Sequence, residues 1–153
     1  MHLSGITMSV KRIFITTCLL FGVVWITPAC AFQSSGDNVS ASSDDNAIAR
    51  AFKDKKRNVQ VEGEGVVERI LADDLVDGKH QRFIVRLGTG QTLLISHNID
   101  LAPRVAGLQE GDRIAFYGEY IWNSQGGIVH WTHHDPQGRH VAGWLKYKGQ
   151  TYQ

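Results

Sequence analysis

Beginning at Val59, apolar and polar side chains alternate along the chain with a period of two residues. This period is typical of half-buried β-strands, because successive side chains of a strand point to opposite faces of the sheet. The alternation changes phase near Gly63 and Gly65. Glycine within a strand often marks a bulge or a sharp bend, which small barrels need at their corners. The pattern predicts a long first strand that bends at these two glycines.

Four further strands are expected after it. The segments R-F-I-V-R-L and T-L-L-I-S flank the glycine turn G-T-G, and a strand after Gly111 is separated from G-I-V-H-W-T by the loop N-S-Q-G-G. Residues 100–108 break the strand pattern and are predicted to form a short helix, with Pro103 in its first turn. Three strands, a short helix and two strands is the order of the oligonucleotide/oligosaccharide-binding (OB) barrel. We therefore predict an all-β fold, a small five-stranded OB-like barrel with a short helix between strands three and four.

The first 31 residues have the pattern of a signal peptide. Two basic residues precede an uncharged apolar run from Ile13 to Ile26, which is too short for a membrane-spanning helix. Ala29 and Ala31 have the small-x-small spacing that a signal peptidase recognises, which predicts cleavage before Phe32. The alternative is lipid attachment to Cys30. The protein is expected to be periplasmic or secreted.

The rest of the chain divides into a tether and one domain. Residues 32–46 are almost all small or polar and are predicted to be a disordered polar tether. Residues 47–153 are predicted to form the single OB-like domain, opened by a possible N-terminal helix over Ala47–Arg57 that an aspartate of the pair D-D caps. Ile48 and Phe52 lie on the face of this helix that packs onto the barrel.

Cysteine usage and charge limit the possible functions. Both cysteines, Cys18 and Cys30, lie in the predicted leader, so the mature domain has no disulfide and no thiolate site. Removing Lys11 and Arg12 from the 16 basic residues leaves 14 against 15 acidic ones, a net charge of −1. A nonspecific nucleic-acid binder usually has a strong basic excess. We expect a monomer with no transmembrane segment after cleavage, and global charge gives no argument for nucleic acid as a partner.

Histidines are concentrated in the C-terminal segment H-W-T-H-H-D-P-Q-G-R-H-V-A-G-W. Its D-P-Q-G sequence fits a type I turn, and a hairpin around that turn would place His133 opposite His140. Two imidazoles on directly opposed residues of a hairpin could ligate one metal ion, although a third ligand would have to come from elsewhere in the chain. The segment could instead be structural or contact a polar ligand without a cofactor. The residues that we predict to contact a ligand here are Trp131, His134, Asp135, Arg139 and Trp144.

A second candidate site follows from the predicted topology, because OB barrels bind ligands across strands two and three. Arg82 and Arg86 would lie on that surface, with Trp122 as a stacking platform. Aromatic rings interleaved with cations suit single-stranded nucleic acid or sugars. The sequence thus predicts a non-catalytic binding module for a polar or anionic polymer, single-stranded nucleic acid or glycan. A plain solvated β face is the structural alternative.

The alternative function is a metal-dependent hydrolase of phosphodiesters or similar bonds. A divalent metal such as zinc, held by His133 and His140, would supply hydroxide near neutral pH. A Ser-His-Asp hydrolase is not favoured, because Ser96 and Ser124 lie outside a G-x-S-x-G motif and no third group is placed to orient a base.

From Val59 to Tyr152 the chain resembles an uncharacterised family of small secreted bacterial proteins. The ending G-I-V-H-W-T-H-H-D-P-Q-G-R-H-V-A-G-W-L-K-Y-K-G-Q-T-Y carries the resemblance. It implies a leader followed by an OB-type barrel. It supplies no catalytic residues, and the occasional description of such proteins as nucleic-acid-binding rests on fold analogy.

Overall fold

The computed structural model describes residues 42–153, so the predicted leader, the cleavage position and most of the predicted tether lie outside the described residues. No helix within this range is long and apolar enough to cross a membrane. The elements in chain order are α1 (Ser43–Lys53), β1 (Arg57–Ile70), β2 (His80–Leu87), β3 (Thr92–Asn98), β4 (Arg113–Ile121), β5 (Ile128–His130), β6 (Trp144–Tyr147) and β7 (Gln150–Tyr152).

Five of these strands close into a barrel. Their order is β1-β2-β3-β5-β4, and β4 pairs back onto β1. All neighbours are antiparallel except β3 and β5, which are parallel. The prediction of an all-β, five-stranded OB-like barrel is confirmed.

The core lies inside this barrel, where alternate residues of each strand meet. Phe83, Phe116 and Tyr120 are fully buried there, and the inner face of β1 carries Gly63 and Gly65 between valines. The predicted phase change at these glycines does not occur, because both face the core, and a Cβ at Gly65 would overlap the carbonyl group of Arg86. The register of β1 shifts near its ends instead, between Arg57 and Val59 and between Val67 and Arg69.

Helix α1 lies over Ser43–Lys53 rather than the predicted Ala47–Arg57, so the last residues of the predicted tether are helical and Arg57 begins β1 instead. Ser42, rather than an aspartate, is the N-cap, and its Oγ accepts a hydrogen bond from Asp45 N at 3.0 Å. Asp45 is buried and its Oδ2 accepts from Gly88 N at 3.0 Å, which ties α1 to the β2–β3 turn. Ile48 packs into the core as predicted, and Phe52 is half-buried.

The helix predicted between strands three and four does not form, and residues 99–112 make separate turns. Pro103 has no N–H to continue a helix and disfavours helical geometry in the residue before it. The side chain of Gln81 takes the backbone groups that a helix would need: Val105 N donates to its Oε1 at 2.9 Å and its Nε2 donates to Val105 O at 3.1 Å. Val105 is thereby held in the core.

Strands β6 and β7 form a C-terminal hairpin that the sequence reasoning did not anticipate. β5 pairs with one end of β4 and β6 pairs with the middle of the same edge. Between them, residues 131–143 leave the sheet, and we call this segment the histidine loop. Its ends meet, because Gly143 N donates to His133 O at 3.0 Å. A compact loop of this length with adjoining ends is an Ω-loop, a type that is frequently functional.

Candidate functional site: a histidine-lined cleft

The start of the histidine loop and the strands beside it line a cleft of about 230 Å³. β2 supplies His80, and β5 supplies His130 at its last position. The histidine loop adds Trp131 and His133. The lining is completed by Asp77 from the β1–β2 loop and by Ser96 and Asn98 from β3. Three of these seven residues are histidines, a concentration that indicates a site where hydrogen bonding or proton transfer is important.

Hydrogen bonds fix the tautomers of all three imidazoles. Nδ1 of His80 lies 3.2 Å from Gly78 O, and Nδ1 of His133 lies 2.8 Å from His134 O. Carbonyl oxygens only accept, so both Nδ1 atoms carry the proton, and Nε2 of each neutral ring is left as an acceptor. His130 has the opposite arrangement, because its Nε2 lies 3.2 Å from Glu119 Oε1 and its Nδ1 is the acceptor. In their neutral forms, the three rings therefore offer one lone pair each.

Burial and Glu119 have opposite effects on His130. Desolvation is the largest effect and lowers the pKa of His130, while the Glu119 carboxylate raises it and the neighbouring His140 and His80 lower it further. The net shift of the pKa is downward. His130 is therefore neutral at pH 7 and able to accept a proton at Nδ1.

A fourth histidine, His97, lies behind the cleft and is fully buried. Its Nε2 donates to Pro103 O at 3.1 Å, and its Nδ1 accepts from the Thr132 hydroxyl at 2.9 Å. Burial lowers the pKa of His97 to about 4, and the nearby His133 adds to the effect. The neutral ring uses both nitrogens, so His97 holds the first residues of the histidine loop against the 99–112 segment.

Trp131 connects the histidines of the loop. Its ring stacks on His140 with centroids 3.7 Å apart and planes within 13°, and its centroid lies 5.3 Å from that of His133. Its backbone φ is +51°, in the left-handed region that a bulky residue rarely adopts. Strain of this kind persists where surrounding contacts hold it, and it is common at binding sites.

The predicted turn D-P-Q-G is present, but the hairpin around it is not. Gly138 N donates to Asp135 O at 3.0 Å, which closes the turn. No strand forms within residues 131–143. The Asp135 carboxylate instead accepts from the backbone N–H groups of Gln137, Arg139 and His140, so the chain after the turn curls round this buried side chain. The register that would have placed His133 opposite His140 is therefore wrong.

His133 and His140, the predicted metal ligands, are both placed against Trp131. Within residues 42–153, no group of three or more His, Cys, Asp or Glu side chains is arranged to hold a metal ion. The zinc site stays a prediction, and the geometry of the described chain adds nothing in its favour.

The predicted arginine surface has most of its charge neutralised. Arg82 Nη1 lies 3.4 Å from Asp74 Oδ2, and Arg86 Nη2 lies 2.8 Å from Glu68 Oε1. Each guanidinium therefore has an acidic partner on the same face. An anionic polymer would have to compete with these carboxylates for both arginines.

Trp122 is not part of that arginine surface. Its backbone N donates to Lys56 O beside the start of β1, whereas the backbone of Arg82 pairs with Leu71 just beyond the end of β1. The Trp122 ring packs against Phe52 of α1, with centroids 6.4 Å apart. The structure therefore places Trp122 and Arg82 at opposite ends of β1, and the three predicted residues do not form one binding surface.

Of the other ligand contacts predicted in the C-terminal segment, only Trp131 lines the cleft. His134 and Arg139 are exposed on the loop. Asp135 is buried and holds the backbone. Trp144 stacks on Tyr117 with centroids 6.1 Å apart.

Five residues of the cleft lining are absent from the site residues predicted from sequence, namely Asp77, His80, Ser96, Asn98 and His130, and so is Glu119, the partner of His130. A signal for Glu119 was present. If the strands on either side of N-S-Q-G-G pair as a hairpin through Ile121 and Ile128, Glu119 falls opposite His130, as it does in the structure. The sequence predicts both strands and the loop, and Glu119 follows only once the register of the two strands is fixed.

The sequence also matches a known family. Its profile, described as "Protein of unknown function (DUF3465)", matches residues 30–153. No curated protein shows a significant match to the chain. The matched range includes the whole barrel, the histidine loop and the cleft between them. The chain therefore belongs to the DUF3465 family of proteins of unknown function.

Proposed function

We propose that this protein is an exported OB-like binding module that holds a polar polymer at the histidine-lined cleft. Of the two ligand classes suggested by the sequence, single-stranded nucleic acid and glycan, the chemistry of the cleft favours a glycan. The observation that carries the proposal is the lining itself: three imidazoles, a hydroxyl, a carboxamide, a carboxylate and an indole around about 230 Å³. The leader pattern supports export.

The lone pairs of the imidazoles match the hydroxyl groups of a sugar. In its neutral form, each of the imidazoles of His80, His130 and His133 leaves one acceptor nitrogen, and the carboxylate of Asp77 also accepts. Asn98 uses its Oδ1 to accept from Asp100 N at 2.9 Å, and its Nδ2, which has no hydrogen-bond partner within residues 42–153, can donate to a ligand. Sugar hydroxyls both donate and accept, and a few convergent polar groups beside an aromatic ring are typical of ligand sites.

Charge argues against nucleic acid at this cleft. Among the described residues that line it there is no lysine or arginine, and Asp77 adds negative charge. Phosphate neutralisation by basic side chains supplies most of the affinity in nonspecific nucleic-acid binding. A backbone of phosphates would therefore be poorly held here, whereas a neutral sugar has no such requirement.

The test is isothermal titration calorimetry of the mature protein with a panel of neutral and acidic oligosaccharides, and with an oligothymidylate at low salt. We expect saturable binding of at least one oligosaccharide. Trp131→Ala should weaken that binding at least tenfold, which corresponds to about 1.4 kcal/mol, because it removes the aromatic wall.

Trp144→Ala is the matched control, since Trp144 stacks on Tyr117 outside the cleft lining and should leave the affinity unchanged. Binding of the oligothymidylate alone, with a steep salt dependence, would replace the glycan by nucleic acid. No binding to any member of the panel would remove the proposal.

A further inference from the structure

Three polar side chains lie side by side on three adjacent strands of the barrel. Glu119 on β4 and His130 on β5 are direct register partners. β5 runs parallel to β3 with Leu94 opposite Ile128 and Ile95 opposite Val129, so the next residues along, Ser96 and His130, are neighbours on the same face. Carboxylate, imidazole and hydroxyl therefore follow one another across the sheet in the order β4, β5, β3.

A hydrogen bond to Glu119 fixes the tautomer of the central imidazole. Glu119 accepts from His130 Nε2 at 3.2 Å, which leaves Nδ1 as the basic nitrogen. The Glu119 side chain is itself only 15% exposed, so the carboxylate side of this hydrogen bond is largely shielded from water. A carboxylate in this position fixes the tautomer of a catalytic histidine and stabilises its protonated form.

Ser96 and His130 also line the same cleft. Hydrogen bonds between catalytic groups commonly tighten to bonding distance only when substrate is bound. Asn98, two residues after Ser96 on the same face of β3, lines the cleft too, and its free Nδ2 can donate to a negative oxygen. The cleft thus brings together a hydroxyl, an imidazole whose tautomer a neighbouring carboxylate fixes, and an amide donor.

We propose that Ser96, His130 and Glu119 hydrolyse carboxylic esters carried by the ligand in the cleft. Ser96 Oγ bonds to the ester carbonyl carbon as its proton passes to His130 Nδ1, and the carbonyl electron pair moves onto oxygen beside Asn98 Nδ2. The C–O bond to the alcohol then breaks, and the alcohol leaves with the proton from His130. Water attacks the acyl-serine with His130 again as base, releasing the acid and restoring Ser96.

The overall reaction converts one ester and one water into an acid and an alcohol, and it needs no oxidant or cofactor. Since the cleft lining within the described chain has no lysine or arginine to hold phosphoryl oxygens, an ester of a carboxylic acid fits better than a phosphodiester. The choice of natural substrate, an O-acylated glycan, rests on the proposed function above. The proposed reaction of Ser96 with a carboxylic ester is independent of that function.

The experiment treats the full mature protein with a fluorophosphonate probe and locates the adduct by peptide mass spectrometry. Hydrolysis of p-nitrophenyl acetate is measured in parallel, with a chelator present. We expect one adduct, on Ser96. Ser96→Ala should abolish the adduct and lower kcat/KM at least 100-fold, and His130→Asn should do the same.

Ser124→Ala and His134→Asn are matched controls, because both residues are exposed and outside the cleft lining. Neither should change the adduct or the rate. An absent adduct in folded protein, an adduct on another residue, or hydrolysis that persists in Ser96→Ala would overturn the proposal. Loss of hydrolysis on chelation would do so as well, in favour of a metal-dependent reaction.

Glu119 is a positioning residue, so its test uses the pH profile. The titratable groups around His130 are Glu119 on β4, His140 in the histidine loop and His80 on β2, with Asp77 in the same cleft lining. Glu119→Gln removes the carboxylate that raises the pKa of His130, so kcat/KM should fall and its acid limb should move to lower pH. A reduced rate with an unmoved acid limb would contradict this role.

The two proposals fail separately. A Ser96 adduct without oligosaccharide binding would remove the glycan and keep the esterase chemistry. Oligosaccharide binding without an adduct would keep the binding module and rule out ester hydrolysis by Ser96, His130 and Glu119.

Discussion

At the scale of single residues, Asp135 organises the histidine loop. Its Oδ1 accepts from Gln137 N at 2.9 Å, and its Oδ2 accepts from Arg139 N at 2.7 Å and from His140 N at 3.0 Å. These hydrogen bonds, that from Gln137 above all, lower the pKa of Asp135 and keep the carboxylate ionised. By fixing the backbone of His140, Asp135 helps to hold that ring against Trp131.

Asp135→Ala should loosen this loop, because three backbone N–H groups lose their acceptor. We expect a lower melting temperature, faster proteolysis within residues 131–143 and weaker oligosaccharide binding. Gln137→Ala is the control, since it keeps the backbone N–H that Asp135 uses and the Gln137 side chain is exposed. Limited proteolysis with peptide mapping measures the effect. An unchanged cleavage pattern would show that the carboxylate does not hold the loop.

At the scale of elements, the histidine loop closes where two backbones nearly touch. A Cβ at Gly143 would overlap the carbonyl oxygens of Trp131 and Tyr117, so the chain can rejoin β4 only if this residue has no side chain. This close contact holds the two ends of the histidine loop against the edge of β4 with which β5 and β6 both pair. Gly143 therefore sets the geometry on which Trp131 and the cleft depend.

Gly143→Ala should lower the free energy of unfolding by roughly 3 kcal/mol, the size typical of a steric clash that buried backbone cannot relieve. Gly138→Ala is the comparison. Its φ is +64° with open space around the position, so only backbone strain of about 1 kcal/mol is expected there. Urea denaturation of both variants measures the difference. Equal costs for the two would mean that the loop ends can move apart freely.

The five barrel strands and the turn at D-P-Q-G could be predicted because their signals are local, whereas the hairpin of β6 and β7 was not predicted. Alternation marks each strand, and proline followed by glycine marks the turn. The absence of a hairpin around that turn could not be predicted from sequence. The Asp135 carboxylate binds the backbone N–H groups that follow the turn, and an alternating pattern does not indicate such contacts. The missing helix has the same cause: Gln81, more than twenty residues away, hydrogen-bonds both backbone groups of Val105.

The candidate site divides in the same way. Trp131 and His133 were found, because the histidine-rich segment is conspicuous in the sequence. Ser96 and His80 were not, because they reach the cleft only through the pairing of β3 with β5 and of β2 with β3. Glu119 lies between these cases, since it follows from one hairpin register.

At the scale of the whole molecule, His97 couples folding to pH. It is fully buried and joins Thr132 of the histidine loop to Pro103, with its ring neutral. Burial lowers its pKa from 6.5 to about 4 in the folded protein. Between these two values the unfolded chain binds a proton that the folded chain does not, so the free energy of unfolding falls as the pH falls.

Stability should therefore be complete above pH 6.5 and decline until about pH 4, by about 3 kcal/mol from His97 at 1.36 kcal/mol per pKa unit. The lowered pKa of His130 adds a loss of the same sign. His97→Gln should flatten the dependence while lowering stability at neutral pH, and His134→Gln, at an exposed position, should leave it as in the wild type. Denaturant unfolding at a series of pH values measures this. An equally steep decline in His97→Gln would assign it to other groups.

Because the two ends of the histidine loop meet beside β4, the barrel can serve as a scaffold for the loop between them. β5 and β6 each pair with β4 on their own, and Gly143 N bonds His133 O between them, so no strand pairing depends on residues 134–142. We therefore expect the barrel to keep its topology when that stretch is exchanged for another peptide of similar span. The molecule thus offers a frame on which new recognition loops could be displayed, each held at both ends by contacts already present.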